Sequence, residues 1–116
     1  MTVSTPGPRW LYLHGFGSSR DSAKGLALSQ RFAELGITLD RLDLRRPSLE
    51  HLRLSAMIEA VRAAIGAERD RAVVFGSSLG GLTAARVAEQ DARVCALVLL
   101  APAFRFPERW RARLGG

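Results

Sequence analysis

Short apolar runs alternate along this chain with longer segments in which apolar residues recur at helical spacing. The runs predict β-strands at Trp10–His14, Ile37–Leu44, Ala72–Phe75 and Val94–Leu100. The helical segments lie at residues 26–35, 52–65 and 82–89, and a last short helix is expected at Pro107–Leu114. This alternation predicts an α/β fold, in which a parallel β-sheet of about four strands lies between two layers of helices.

In the sheet we expect Trp10–His14 and Ala72–Phe75 at the centre, with Ile37–Leu44 and Val94–Leu100 as the two outer strands. The last of these is the most apolar stretch of the chain, and its free edge would expose unpaired backbone. Such an edge invites pairing with another chain, so we expect a homo-oligomer or a tendency to aggregate.

The helix ends carry recognisable signals. Ser18 followed three residues later by Asp21 resembles a capping box for the first helix, and Ser48 is expected to cap the second. Gly36 and Gly66 are expected to end these two helices, because glycine readily adopts the left-handed conformation that closes a helix.

Composition narrows the class of protein. At 116 residues, with 47% of them hydrophobic, the chain is predicted to be one domain, residues 1–116, with a core of its own. The net charge of +6 comes from scattered arginines and Lys24, which favours a solvated surface and makes a nucleic-acid partner unlikely. Cys95 is the only cysteine and is predicted to be a buried thiol in an apolar run. Neither a signal peptide nor a membrane span is recognisable, so we expect a cytoplasmic protein that binds no membrane.

The strongest chemical signal is a G-x-S-x-G sequence, Gly76 to Gly80, between a predicted strand and a predicted helix. A serine at such a sharp turn projects its hydroxyl above the sheet edge, and the flanking positions must be glycine because side chains there would collide. The following helix N-terminus favours a developing negative charge. A tight turn or a phosphate-binding turn is the alternative interpretation for Ser78.

A second glycine-rich turn, His14-Gly15-Phe16-Gly17, follows the first strand. The carboxyl ends of parallel strands meet at one edge of a sheet, where ligands bind. We therefore expect His14, Asp43 and Ser78 at the same edge.

Together these turns resemble the N-terminal part of an α/β-hydrolase, most closely the small bacterial esterase-like members, over nearly the whole chain. The resemblance implies that Ser78 is the nucleophile and that the N–H groups of Leu79 and Phe16 bind the oxyanion. It also implies that the remaining turn residues are structural. These residues are His14, Gly15, Gly17, Gly76, Gly80 and Gly81.

The catalytic set looks incomplete. In this fold an acid and then a histidine follow the serine along the chain, but His14 and His51 both precede Ser78. Neither histidine is expected to replace the missing base, and Asp43 is expected to cap nearby backbone. The acids that follow Ser78 are weak candidates. They are Glu89, Asp91 and Glu108.

Two functions therefore stay open. The first is carboxylesterase or thioesterase hydrolysis of a small acyl ester by Ser78, in a chain that lacks the acid and histidine half. The second is an inactive domain that binds a ligand or oligomerises. Phe104, Phe106 and Trp110 are candidates for an acyl pocket, with core packing as the alternative. We expect no cofactor and no metal ion.

Overall fold

The computed structural model describes residues 7–15, 18–46, 48 and 51–100. These residues form four β-strands and three α-helices in strict alternation. In chain order they are β1 (Arg9–Leu13), α1 (Ala23–Glu34), β2 (Leu39–Leu42), α2 (Leu54–Ile65), β3 (Ala72–Ser77), α3 (Leu79–Gln90) and β4 (Val94–Leu100). The helix expected at Pro107–Leu114 lies outside the described residues.

The four strands form one parallel sheet in the order β2-β1-β3-β4. This confirms the predicted α/β fold and the predicted central and outer strands. Leu13 is level with Leu42 of β2 and with Gly76 of β3. The carboxyl ends of three strands therefore reach the same edge of the sheet.

Alternate residues of each strand point to opposite faces of the sheet, and helices cover both faces. Leu11, Leu13 and Val74 join the buried cluster formed with α2 and α3. On the other face, Trp10 and Phe75 pack against Phe32 of α1, with ring centroids 5.6 and 5.4 Å from the Phe32 ring. Full burial of a large apolar side chain contributes roughly 1.5–3 kcal/mol, and these partly buried rings contribute a part of that, so both layers stabilise the fold.

The expected helix stops are present, but the expected caps are wrong. Gly36 and Gly66 follow α1 and α2 with φ of 76° and 102°. The N-cap of α1 is Ser22, whose hydroxyl accepts the N–H of Gly25 at 3.1 Å. Ser18 instead belongs to the preceding turn, where its N–H donates to the carbonyl of Gly15 at 3.1 Å.

The N-cap expected for the second helix is also wrong. Helix α2 begins at Leu54, six residues after Ser48, and its N-cap Arg53 makes no side-chain capping bond. Ser48 accepts the N–H of His51 through its carbonyl at 3.2 Å, which is a turn before the helix. Serine hydroxyls favour turns as well as caps, so the sequence pattern alone does not separate the two uses.

Strand β4 lies at the edge of the sheet and is partly exposed. Within residues 7–100 as described, it pairs with β3 alone. The pairing is irregular where Val94 lies opposite Ala72 and Ala96 lies opposite Val73, so Cys95 is an extra residue. This bulge on an edge strand leaves Cys95 exposed, and the prediction of a buried thiol was wrong.

Candidate active site

Ser78 stands at the junction of β3 and α3 in a strained backbone conformation. Its φ is 56° and its ψ is −118°, and among the described residues it alone combines a side chain with a positive φ. Non-glycine residues rarely adopt this conformation, and holding one there costs about 1–3 kcal/mol. The surrounding structure must therefore impose it, and the Ser78 side chain remains partly exposed.

The glycines around Ser78 allow three backbone segments to approach closely. A Cβ on Gly76 would lie 2.7 Å from the Cα of Gly81. A Cβ on Gly80 would collide with the carbonyl oxygen of Leu13 and would lie 2.6 Å from that of His14. The first turn of α3 therefore packs directly on the end of β1, which leaves no room for a side chain.

The start of α3 presents an N–H group beside the serine. Ser78 is the N-cap of α3, but its hydroxyl makes no capping bond. Its carbonyl accepts the N–H groups of Gly81 and Leu82 at 2.9 and 3.2 Å. Among the described residues the N–H of Leu79 has no acceptor. A backbone donor at a helix N-terminus next to a hydroxyl suits a developing oxyanion.

His14 holds the turn that faces Ser78. The ring is buried, its Nε2 accepts the N–H of Leu44 at 2.9 Å, and its Nδ1 lies 3.0 Å from the carbonyl oxygen of Gly15. Because Nε2 accepts, the proton is on Nδ1 and the ring is neutral. A Cβ on Gly15 would lie 3.0 Å from the Cβ of Ser78. His14 thus fixes the turn against the serine, and neither ring nitrogen is free to take a proton from Ser78.

Asp43 comes within 3.8 Å of His14 Nε2, but the two groups do not form an ion pair. The lone pair of Nε2 already accepts the N–H of Leu44. Both Asp43 oxygens bind the Arg45 guanidinium, at 2.9 and 2.8 Å. These bonds hold the pKa of Asp43 well below its usual range, although partial burial opposes them. The carboxylate is therefore committed to the loop after β2.

Among the described residues, the remaining candidates for the acid and the base are either paired with arginines or placed away from Ser78. Asp91 is buried before β4, at the opposite edge of the sheet from Ser78, and binds Arg93 at 2.6 Å. Glu89 pairs with Arg86 at 3.3 Å, and His51 is exposed ahead of α2. Other predicted residues lie outside the described part of the chain. They are Phe16, Gly17, Phe104, Phe106, Glu108 and Trp110.

Sequence reasoning missed one residue of this site. Lys24 lies in the first turn of α1, and its Nζ donates to the hydroxyl of Ser77 at 3.2 Å. It is the only lysine in the chain. A parallel α/β fold places the start of α1 at the same edge as the carboxyl end of β3, so this proximity was open to prediction.

Comparison with known proteins identifies the family and the fold of the chain. The model of the Uncharacterised protein family (UPF0227) matches residues 9–116. The α/β hydrolase GrgF from Penicillium sp. sh18 has a TM-score of 0.72 and 24% identity, over 94% of this chain and 43% of GrgF. Est1E from Butyrivibrio proteoclasticus, solved with ferulic acid bound, has a TM-score of 0.74 and 24% identity, over 91% of this chain and 47% of Est1E.

These likenesses establish the α/β-hydrolase fold. The chain spans less than half the length of these two structures. A search of curated proteins gives no significant match. The helices in the described ranges have twelve residues each, and none is long and apolar enough to cross a membrane.

Proposed function

Since the chain belongs to the Uncharacterised protein family (UPF0227) and has the α/β-hydrolase fold, we propose that it is a serine hydrolase that cleaves small acyl esters or thioesters through Ser78. The observation that carries the proposal is the strained backbone of Ser78, with a φ of 56°. Nothing about a simple turn requires a serine there, because glycine would adopt this conformation without strain. Strained backbone of this kind is typical of a serine nucleophile at the turn between a strand and a helix.

The chemistry follows from the positions of these groups. The Ser78 hydroxyl attacks the acyl carbon, its proton passes to a base, and the carbonyl oxygen becomes an oxyanion. The N–H of Leu79 stabilises this oxyanion, with the N–H of Phe16 as the expected second donor. The alcohol or thiol then leaves with a proton, and water hydrolyses the acyl-serine. His14 is not the base in this scheme, since both of its nitrogens hold backbone.

The engagement of both His14 nitrogens by backbone supports a second candidate function. Without a base the hydroxyl is a poor nucleophile at neutral pH. With His14 committed to the turn, the domain would then bind an acyl ligand at the oxyanion site, or a partner, without turning it over. Phe104, Phe106 and Trp110 remain candidates for an acyl pocket in either case, with core packing as the alternative.

A labelling experiment separates the two. Wild type should react with a fluorophosphonate probe and hydrolyse p-nitrophenyl butyrate, and Ser78→Ala should do neither. Ser77→Ala is the matched control, because it removes the neighbouring hydroxyl and leaves the nucleophile in place. Labelling that persists in Ser78→Ala, or that wild type never shows, would refute an activated nucleophile and leave the binding module.

We also propose that β4 mediates assembly into a homo-oligomer. Cys95, Ala96 and Leu97 are exposed on this apolar strand, and its outer edge has no partner strand within the described ranges. A second copy that paired there would extend the sheet and cover these side chains. The cytoplasmic location expected from the sequence remains a prediction.

Light scattering on two variants tests the assembly. Leu97→Lys places a charge on the edge strand and should shift the protein towards monomer. Leu35→Lys is the control, because Leu35 is also exposed but follows α1, away from β4. A wild-type protein that is monomeric at high concentration, or equal effects of the two variants, would contradict the proposal.

A further inference from the structure

Lys24 is a cationic side chain in direct contact with the end of β3, next to Ser78. Its Nζ lies 3.2 Å from the hydroxyl of Ser77, the residue that precedes Ser78. Covalent geometry between the two serines then limits the distance from Nζ to the Ser78 hydroxyl to about 12 Å. A substrate attacked by Ser78 therefore lies within reach of this ammonium group.

The ammonium group is not neutralised within the described part of the chain. Lys24 takes part in no ion pair there, and the first turn of α1 contains no acidic residue. Asp21, three residues before it and outside α1, binds Arg41 at 3.3 Å instead. Asp43, at the same edge of the sheet, binds Arg45. Among the described residues Lys24 therefore has no acidic partner beside the site, while Asp21 and Asp43 are already paired.

The lysine also keeps donors for a ligand. An ammonium group has three N–H donors, and the contact with Ser77 uses one. Lys24 is exposed at the start of α1, so a ligand can approach it from solvent. An exposed arginine such as Arg45 differs, because its charge is already paired with the Asp43 carboxylate, which accepts two of its five N–H groups.

We propose that Lys24 binds a carboxylate on the acyl part of the substrate, so that the preferred substrates are half-esters or half-thioesters of short dicarboxylic acids. This inference rests on the proposed hydrolase function of Ser78. For an acyl chain that lies along the line between the Ser78 hydroxyl and the Lys24 Nζ, the attack distance and the N–H to carboxylate hydrogen bond each take about 3 Å of this distance, so the acyl carbon and the carboxylate are separated by up to about 6 Å. Acids from succinate to adipate fit this span.

Matched esters test the selectivity. p-Nitrophenyl hemiglutarate and p-nitrophenyl valerate have the same chain length and differ in the terminal carboxylate. We compare the ratio of their kcat/KM values in wild type, Lys24→Gln and Arg31→Gln. An exposed charged pair with hydrogen bonds is worth about three- to tenfold, so Lys24→Gln should lower the ratio by about that factor, mainly through KM.

Arg31→Gln controls for the loss of one positive charge from a chain of net charge +6. Arg31 is on the same helix, two turns further on, and pairs with Glu34 at 3.6 Å. Its removal should leave the ratio unchanged. Lys24→Glu should lower the ratio further than Lys24→Gln, because it adds repulsion of the carboxylate.

The outcomes distinguish this inference from the proposed function. Valerate turnover that depends on Ser78, with a ratio unaffected by Lys24→Gln, would overturn the role of Lys24 alone. If no ester is hydrolysed, binding of monomethyl glutarate to the Ser78→Ala protein is measured by NMR titration. There the Kd should rise by about three- to tenfold when Lys24→Gln is added, and an unchanged Kd would refute carboxylate recognition.

Discussion

The strain at Ser78 predicts an unusual order of stability among its variants. Glycine adopts φ of 56° with ψ of −118° freely, whereas alanine does not. Relief of the strain is worth about 1–3 kcal/mol, and the greater freedom of glycine in the unfolded chain returns about 0.4–1 kcal/mol of this. Ser78→Gly should therefore be more stable than Ser78→Ala by about 1 kcal/mol.

The measurement is urea or thermal unfolding followed by circular dichroism. For a chain of this size, a difference of 1 kcal/mol corresponds to roughly 5 °C in Tm. Ser55 supplies the control pair, because it is exposed in α2 and has ordinary helical backbone. There glycine should be less stable than alanine by up to about 1 kcal/mol, since glycine disfavours helix. The order of the two variants should thus be reversed between the two sites.

Equal stability of Ser78→Gly and Ser78→Ala, with the expected order at Ser55, would refute the strain at Ser78 and with it the observation that carries the proposed function. Both Ser78 variants lack the hydroxyl and should fail to react with the fluorophosphonate. The more stable variant would then be the one that has lost the nucleophile, which is the signature of a residue kept for chemistry at a cost in stability.

Two further predictions concern packing and pH. Gly80→Ala should destabilise the fold by about 3 kcal/mol or more in urea unfolding, because the new Cβ meets the backbone of Leu13 and His14, whereas Gly36→Ala, in open space, should cost only about 1–2 kcal/mol. Asp91→Asn should cost about 2 kcal/mol at pH 7, because Asp91 binds Arg93 and Arg62. The Arg93 hydrogen bonds hold the pKa of Asp91 well below its usual range, so this stabilisation is complete above about pH 4 and fades as the pH falls towards the folded-state pKa. A difference between wild type and Asp91→Asn that is as large at pH 2.5 as at pH 7 would contradict this account.

Hydrophobic patterning was enough to predict the order of elements along the chain, because it depends on which residues are apolar at periods of two and 3.6. The order of strands in the sheet followed from the resemblance to the α/β-hydrolases. The glycines around Ser78 were predictable because few sequences satisfy the geometry of such a turn.

The errors concern features that depend on contacts between distant residues. The exposure of Cys95 follows from a bulge against β3, and the register of two strands is not written in either strand alone. The contact between Lys24 and Ser77 joins residues 53 positions apart, so the fold could indicate it but the local sequence could not. The capping serine of α1 was misplaced because Ser18 and Ser22 offer the same local chemistry, and the turn after β1 decides between them.

The hydrogen bonds of His14 explain why the residues that position Ser78 are distinct from the base that would take its proton. One hydrogen bond joins the end of β1 to Leu44 after β2, and the other holds the carbonyl of Gly15, which packs on Ser78. If His14 rotated to accept the serine proton, it would release the turn that positions the serine. In the proposed hydrolase, positioning of Ser78 and removal of its proton would therefore compete for the same ring, so the base would have to be another residue. Ser78 can accordingly keep its strained geometry whether or not that base is supplied.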